Sequence, residues 1–294
     1  MNVKNLRNTF LLLDGAMGTM LQRHGLASGE KPEAYNLTHP EILTAIHEAY
    51  AAAGSQVLTA NTFGANRRKL GGDYTPERVI TAGVKLAKQT GLDVALDLGP
   101  IGELMEPLGT LTFDDVYELY KEQVTAGAAA GADLVIMETL SDLREAKAAI
   151  LAVKENSTLP VFCTLTFDAS GRSFMGVDPQ TCAIALSGLG VDALGINCSL
   201  GPKELLPMLQ IMAGYSRVPL MVQANAGLPV NEDGKITYPF TPEEFAAVIP
   251  EMAALGVTVF GGCCGTTPEH IGAIAHAVRG QSARRLFYAD AQAA

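Results

Sequence analysis

Cys263 and Cys264 stand side by side in the stretch Val259-Phe260-Gly261-Gly262-Cys263-Cys264-Gly265-Thr266-Thr267-Pro268. Neighbouring cysteines rarely bond to each other in a stable fold, because the small ring strains the peptide between them. Two thiols presented together suit a thiophilic metal instead, provided that a third ligand reaches them. Cys198, in Gly195-Ile196-Asn197-Cys198-Ser199-Leu200-Gly201-Pro202, is the candidate for that third place. A free cysteine is ordinarily a small buried hydrophobe, and Cys163 and Cys182 read that way, one inside an apolar run and the other on the helical segment after it. Cys198 differs because it closes an apolar run just before a polar turn, as the Cys263-Cys264 pair does. The glycines beside the pair carry no side chains and are expected to let substrate and backbone approach the metal.

Three cysteines leave the fourth tetrahedral position of Zn2+ open, which separates a catalytic site from a closed structural one. Three thiolates also bring three negative charges, so the site is a poor activator of hydroxide compared with one built from neutral imidazoles. A substrate thiol fits better. With a pKa near 8.5, an alkyl thiol is only about 3% thiolate at pH 7, and coordination removes that limit. The gain in thiolate population is roughly thirtyfold at most, partly offset by weaker nucleophilicity. Orientation toward an electrophile must therefore supply most of the remaining acceleration. The chemistry implied is S-alkylation of a thiol.

Other residues offer substrate contacts. Asp14-Gly15-Ala16-Met17-Gly18-Thr19 places backbone N–H groups where they could cradle a carboxylate or a phosphate; it also reads as a tight turn with a capping Asp14. Glu138 has no basic neighbour in sequence and suits an ammonium group, or else is a rim carboxylate paired in space. Asn225 could hydrogen-bond a substrate, touch the metal, or cap its loop. His270 follows the cysteine pair by six residues but falls in the first turn of a helix, and is not expected to ligate.

These residues need a scaffold that gathers them. Eight short apolar runs read as buried parallel strands: Phe10–Leu13, Val57–Ala60, Val94–Leu98, Leu134–Met137, Val161–Leu165, Ala193–Ile196, Leu220–Val222 and Val257–Phe260. Helical periodicity separates them, over Pro40–Ala53, Pro76–Gln89, Asp114–Ala130, Asp142–Glu155, Lys203–Met212 and Pro242–Leu255. Gly54, Gly91, Gly131 and Gly256 stand where helix ends pass into strands, the usual place for a left-handed cap. Eight strand–helix units with strands too apolar to face water predict one closed (β/α)8 barrel over residues 1–280, followed by a tail, 281–294. A doubly wound open sheet is the alternative. In a barrel, chemistry belongs at the C-terminal strand ends, where Asp14, Asn61, Asp97, Glu138, Thr166, Asn197-Cys198, Asn225 and Cys263-Cys264 all fall.

The chain has 294 residues, 48% hydrophobic and 18% charged, which is ample for a large core. A net charge of −10 with no long Lys/Arg run argues against a nucleic-acid surface. The apolar run Phe10–Leu13 is too short for a signal-peptide core, and no stretch approaches transmembrane length. A soluble, cytoplasmic protein without a membrane partner is expected. Five cysteines, an odd number, do not make a disulfide framework.

Leu13-Asp14-Gly15-Ala16-Met17-Gly18-Thr19, Asn61-Thr62-Phe63-Gly64-Ala65, Gly195 to Pro202, Asn225-Ala226-Gly227 and Gly261 to His270 together resemble the zinc-dependent homocysteine S-methyltransferase family, and within it the homocysteine-binding module of cobalamin-dependent methionine synthases. The resemblance runs over roughly residues 8 to 280. It implies a (β/α)8 barrel with Zn2+ on Cys198, Cys263 and Cys264 and homocysteine sulfur as fourth ligand. Asn225 matches an asparagine that can hold the open position before substrate arrives. Gly15 and Ala16 amides would hold the substrate carboxylate, and Asp14 and Glu138 its amino group. The methyl group would come from methylcobalamin on a corrinoid-binding module or protein. A directly bound S-methylmethionine, S-adenosylmethionine or betaine is the alternative donor, and a non-catalytic zinc-stabilised binding module the alternative of another kind. One departure is Gln223-Ala224 before Asn225, where relatives often carry an acidic or aromatic residue and a proline.

Overall fold

The computed structural model describes residues 6–281 and 283, apart from 73, 233 and 234. Strands β1 (Leu11–Leu12), β2 (Val57–Thr59), β3 (Asp93–Leu98), β4 (Leu134–Leu140), β5 (Val161–Leu165), β6 (Ala193–Asn197) and β7 (Leu220–Ala224) lie close to the first seven of the eight expected runs. A hairpin, β8 (Val230–Glu232) with β9 (Lys235–Thr237), follows, and β10 (Val257–Gly262) is the last barrel strand. The large sheet is parallel, in the order β1-β10-β7-β6-β5-β4-β3-β2, with helices between the strands. A single (β/α)8 barrel is therefore the fold, and the open-sheet alternative falls.

Barrel closure depends on side chains as well as backbone. Between β1 and β2, the Gln56 N–H donates to the Leu12 carbonyl at 2.7 Å, and the Leu12 N–H donates to Gln56 Oε1 at 2.9 Å. One turn further along, the Asp14 carboxylate accepts from the Thr59 N–H and the Thr59 hydroxyl, both at 2.8 Å. These bonds stitch a seam where the first strand is only two residues long.

Strand apolarity has two destinations. Leu11, Leu13, Ile136, Phe162, Met221 and Val259 fill the barrel interior, while Leu12, Leu58, Leu96, Val135, Leu194 and Phe260 pack outward against the helices. Burial on both faces explains why the strands read as continuous apolar runs. Helix starts follow the local chemistry: Asp142 accepts from the Arg144 N–H, Asp178 from the Thr181 N–H, and Thr112 forms a capping box with Asp115.

Three features differ from the sequence expectation. The segment 242–255 is two helices, Pro242–Ala246 and Ile249–Ala254, because Pro250 has no N–H and its ring would clash with the Ala246 carbonyl. The loop after β1 carries its own short helices, Met17–Arg23 and Tyr35–Thr38, and the β8–β9 hairpin adds a pair of strands beyond the eight expected. The tail expected over 281–294 lies outside the described residues except for Gln281 and Ala283. Among the described residues, no helix is long and apolar enough to cross a membrane.

Candidate functional site

The chain leaving β6 turns at once. Cys198 and Ser199 both adopt left-handed backbone, each with φ 60°, a conformation that costs a non-glycine residue roughly 1–3 kcal/mol and persists only where the surroundings enforce it. Here the Cys198 N–H donates to the Gln223 carbonyl at 2.9 Å, and Ser199 Oγ meets Thr166 Oγ1 at 2.6 Å. On the other side of β7, the Cys263 N–H donates to the Ala224 carbonyl at 2.8 Å, and the Ala226 N–H donates to the Cys264 carbonyl at 2.9 Å. The middle strand is thus the template from which both cysteine segments hang.

The result is convergence. The Cys198, Cys263 and Cys264 sulfurs lie within 4.8 Å of one another, with Cys198 Sγ and Cys264 Sγ 3.9 Å apart. Tetrahedral zinc with Zn–S bonds near 2.3 Å holds its sulfurs about 3.8 Å apart, so the donor set fits the ion in kind and spacing. Contacts from Cys198 and Cys263 draw the Cys264 thiol down to about 3, whereas the thiol contacts of Cys263 to Cys198 and Cys264 push it up. Hydrogen bonds among the three thiols thus favour one thiolate and oppose further negative charge.

The paired glycines serve packing. A Cβ on Gly262 would lie 2.3 Å from Thr266 Oγ1, and that hydroxyl donates to the Cys263 carbonyl at 2.7 Å while accepting from the Ala16 N–H at 3.1 Å. Gly265, at φ +82°, gives its space to the Tyr238 ring. The protein's own side chains take the room beside Gly262 and Gly265, while Gly262 also lines the cavity before the sulfurs and Gly261 lies close to the Asp14 backbone carbonyl. Tyr238 had no motif to mark it, yet its side chain hydrogen-bonds Cys264 and helps to hold that thiol down.

A cavity of about 290 Å³ opens before the sulfurs, with Gly15, Ala16, Thr59, Asp97, Glu138, Thr139 and Gln223 in its wall. Burial, reinforced by the Asp14 charge, pushes the Glu138 carboxyl up to about 7, against a hydrogen bond from Gln223. Burial likewise lifts Asp14 to about 7 despite its two bonds from Thr59, and lifts Asp97 well above the carboxylate range, helped by the Glu138 charge. Lys69, over the Phe63 ring at 5.2 Å, is the cation whose charge reaches Asp97. Asp97 Oδ1 and Gln223 Oε1 are buried acceptors with no hydrogen-bond partner in the structure. A wall of this kind is completed by a ligand bringing N–H donors and positive charge.

The expected substrate residues separate into two groups. Glu138, Gly15 and Ala16 line the cavity, although the Ala16 amide already donates to Thr266. Asp14 is buried behind Thr59 with both oxygens accepting. Asn225, 3% exposed, stands at the β7 end with its N–H on the Leu200 carbonyl and its Oδ1 without a partner. His270 uses both ring nitrogens, one at 3.0 Å from the Phe240 carbonyl and the other on Thr267, so neither is free for a metal.

Fold and site define a parallel (β/α)8 barrel with a three-thiol centre and a carboxyl-lined cavity on its catalytic face. The model of the homocysteine S-methyltransferase family matches residues 11–278, and the chain belongs to that family. It is 34% identical to the methionine synthase of Mycobacterium leprae over 94% of its length and 33% identical to that of Mycobacterium tuberculosis over 90%. The chain spans about a quarter of the length of these two relatives, 25% and 24%. Among solved structures it is similar to the Escherichia coli homocysteine methyltransferase MmuM, at 25% identity, with TM-scores of 0.77 for the oxidized form and 0.76 for the metallated form. Those matches cover 91% and 90% of this chain and 95% of the other. Rhizobium etli pyruvate carboxylase, at 16% identity and a TM-score of 0.57 over 94% of this chain and 23% of the other, shares the fold alone.

Proposed function

We propose that the chain methylates homocysteine to methionine, activating the substrate sulfur at Zn2+ held by Cys198, Cys263 and Cys264. The observation that carries this reading is the triangle of three sulfurs facing a cavity with an acidic wall. Bound zinc would supply positive charge and one open position at which a thiol is held deprotonated at neutral pH.

The chain's own residues do the rest. Glu138 meets the substrate ammonium, with Asp14 adding negative potential and the unpartnered Gln223 Oε1 and Asp97 Oδ1 acceptors available to its N–H groups. The Gly15 and Ala16 backbone receives the carboxylate, the Ala16 N–H sharing its present bond to Thr266 Oγ1 with it. Asn225 offers its unpartnered Oδ1 at the same rim and would be a further ligand to a bound metal before substrate arrives. Anchoring both ends of the amino acid fixes where its sulfur points, and that orientation provides most of the acceleration. The sulfur lone pair then forms the S–CH3 bond while the bond from methyl to donor breaks, its electron pair staying with the donor.

The proposed donor is methylcobalamin presented by a corrinoid-binding module or protein, in keeping with relatives about four times as long as this chain. Zinc-loaded protein given L-homocysteine should form methionine with methylcobalamin. Turnover confined to S-methylmethionine, S-adenosylmethionine or betaine would reassign the donor. Tight zinc binding without turnover from any of the four would favour a non-catalytic binding module.

A further inference from the structure

Asn197, the last residue of β6, is fully buried, and its amide is completely used. Oδ1 accepts from the Thr139 N–H at 2.7 Å and from the Thr164 hydroxyl at 2.8 Å. Nδ2 donates to Thr139 Oγ1 at 2.8 Å and reaches Cys263 Sγ at 3.9 Å. A carboxamide has two acceptor sites and two N–H donors, so all four are engaged. The Thr139 N–H is a donor, which fixes the amide in this orientation, because a flipped group would set N–H against N–H.

The residue being clamped is unusual. Thr139 has φ 62°, and a β-branched side chain in the left-handed region is a genuine outlier. It follows Glu138 directly and lines the cavity beside it. Asn197 thus grips the strained irregularity of β4 next to the acidic wall with one face and a sulfur of the trio with the other. Its own C-terminal neighbour, Cys198, supplies the second sulfur.

We propose that Asn197 is the positioning residue of the three-sulfur centre, donating to Cys263 Sγ and fixing that sulfur's distance from Glu138 through Thr139. The proposal rests on the reading of Cys198, Cys263 and Cys264 as metal ligands. An N–H directed at a ligating thiolate lowers the energy of the sulfur lone pair and restrains its direction. Groups placed in this way around metal ligands typically change metal affinity 10- to 100-fold when removed.

The test is titration of the full chain with Co2+, reading the sulfur-to-cobalt charge-transfer band. Asn197→Ala should bind Co2+ about 10- to 100-fold more weakly, and its band should move to longer wavelength as the sulfur electrons rise in energy. Asn197→Asp keeps the acceptor toward Thr139 and Thr164 and lets the Thr139 hydroxyl rotate to donate, so these bonds survive, although a buried charge near Glu138 should lower its melting midpoint. It loses the N–H toward sulfur, and its band should move the same way. If the alanine variant does not fold, the band of the aspartate variant decides alone. Wild-type band position in a folded Asn197→Asp protein, or wild-type affinity and band in Asn197→Ala, would overturn the proposal. A wild-type protein without any sulfur-to-cobalt band would overturn the three-sulfur reading beneath it.

Discussion

Cys198 and Cys264 are 66 residues apart in the chain, yet their sulfurs stand 3.9 Å from each other across the end of β7. The contact needs no large assembly of loops. Strands on either side of β7 each deliver a cysteine segment, and hydrogen bonds to β7 and its extension set the height of both.

Because that geometry is held by backbone, single sulfur deletions should empty the site without unfolding the barrel. Cys198→Ser, Cys263→Ser and Cys264→Ser are each expected to lose stoichiometric zinc and at least a hundredfold in methyl transfer, by analogy with the cost of losing a far less direct metal contact. Circular dichroism and the melting midpoint of the metal-free proteins should match the metal-free wild type. A barrel that collapses with any one of them would make the centre structural.

Much of this was legible beforehand, for a physical reason. Parallel strands buried on both faces are written as apolar runs, and a barrel sends their C-terminal ends to one rim, so Cys198 and Cys263-Cys264 could be brought together on paper. The residues that escaped notice act through paths that no period encodes. Tyr238 reaches Cys264 from a hairpin excursion, Thr266 takes the space left by Gly262, and Thr59 occupies both oxygens of Asp14. Asn197 and Asp97 were visible as strand-end residues, but their partners come from neighbouring strands at a register that sequence does not print.

The Gly262–Thr266 contact gives a second prediction. Gly262→Ala would place a methyl group 2.3 Å from Thr266 Oγ1 and so displace the hydroxyl that ties Cys263 to Ala16. The expected cost is about 1–3 kcal/mol of stability, as for other overpacked sites. Zinc affinity should fall with it, since Cys263 loses its brace. Denaturant titration and a zinc-competition assay measure the two effects.

The seam offers a third. Thr59→Val removes the hydroxyl donor to Asp14 but keeps the backbone N–H. A buried carboxylate deprived of one donor should cost about 1–3 kcal/mol, read as a lower denaturation midpoint with an unchanged slope. The conservative Thr59→Ser should restore most of the loss.

The acidic wall predicts a pH dependence. Glu138 and Asp14 titrate near 7 in the folded protein, above the ordinary carboxylate range. At pH below that value they are largely protonated, and above it they are charged, so an ammonium is held better as pH rises through about 7. L-Methionine, which carries no thiol proton, isolates this effect. Its dissociation constant should fall by up to about tenfold per pH unit for each carboxyl that must ionise, then level off above neutrality. Glu138→Gln should weaken binding and flatten the profile. A pH-independent affinity between 6 and 8 in the wild type would remove these carboxyls from ammonium recognition.

The most direct test of the three-sulfur centre is zinc X-ray absorption on the loaded protein before and after L-homocysteine. The first spectrum should show three sulfur neighbours with one lighter atom, and the second should show four sulfurs. A zinc ion that keeps the same neighbours when homocysteine is bound would contradict the account.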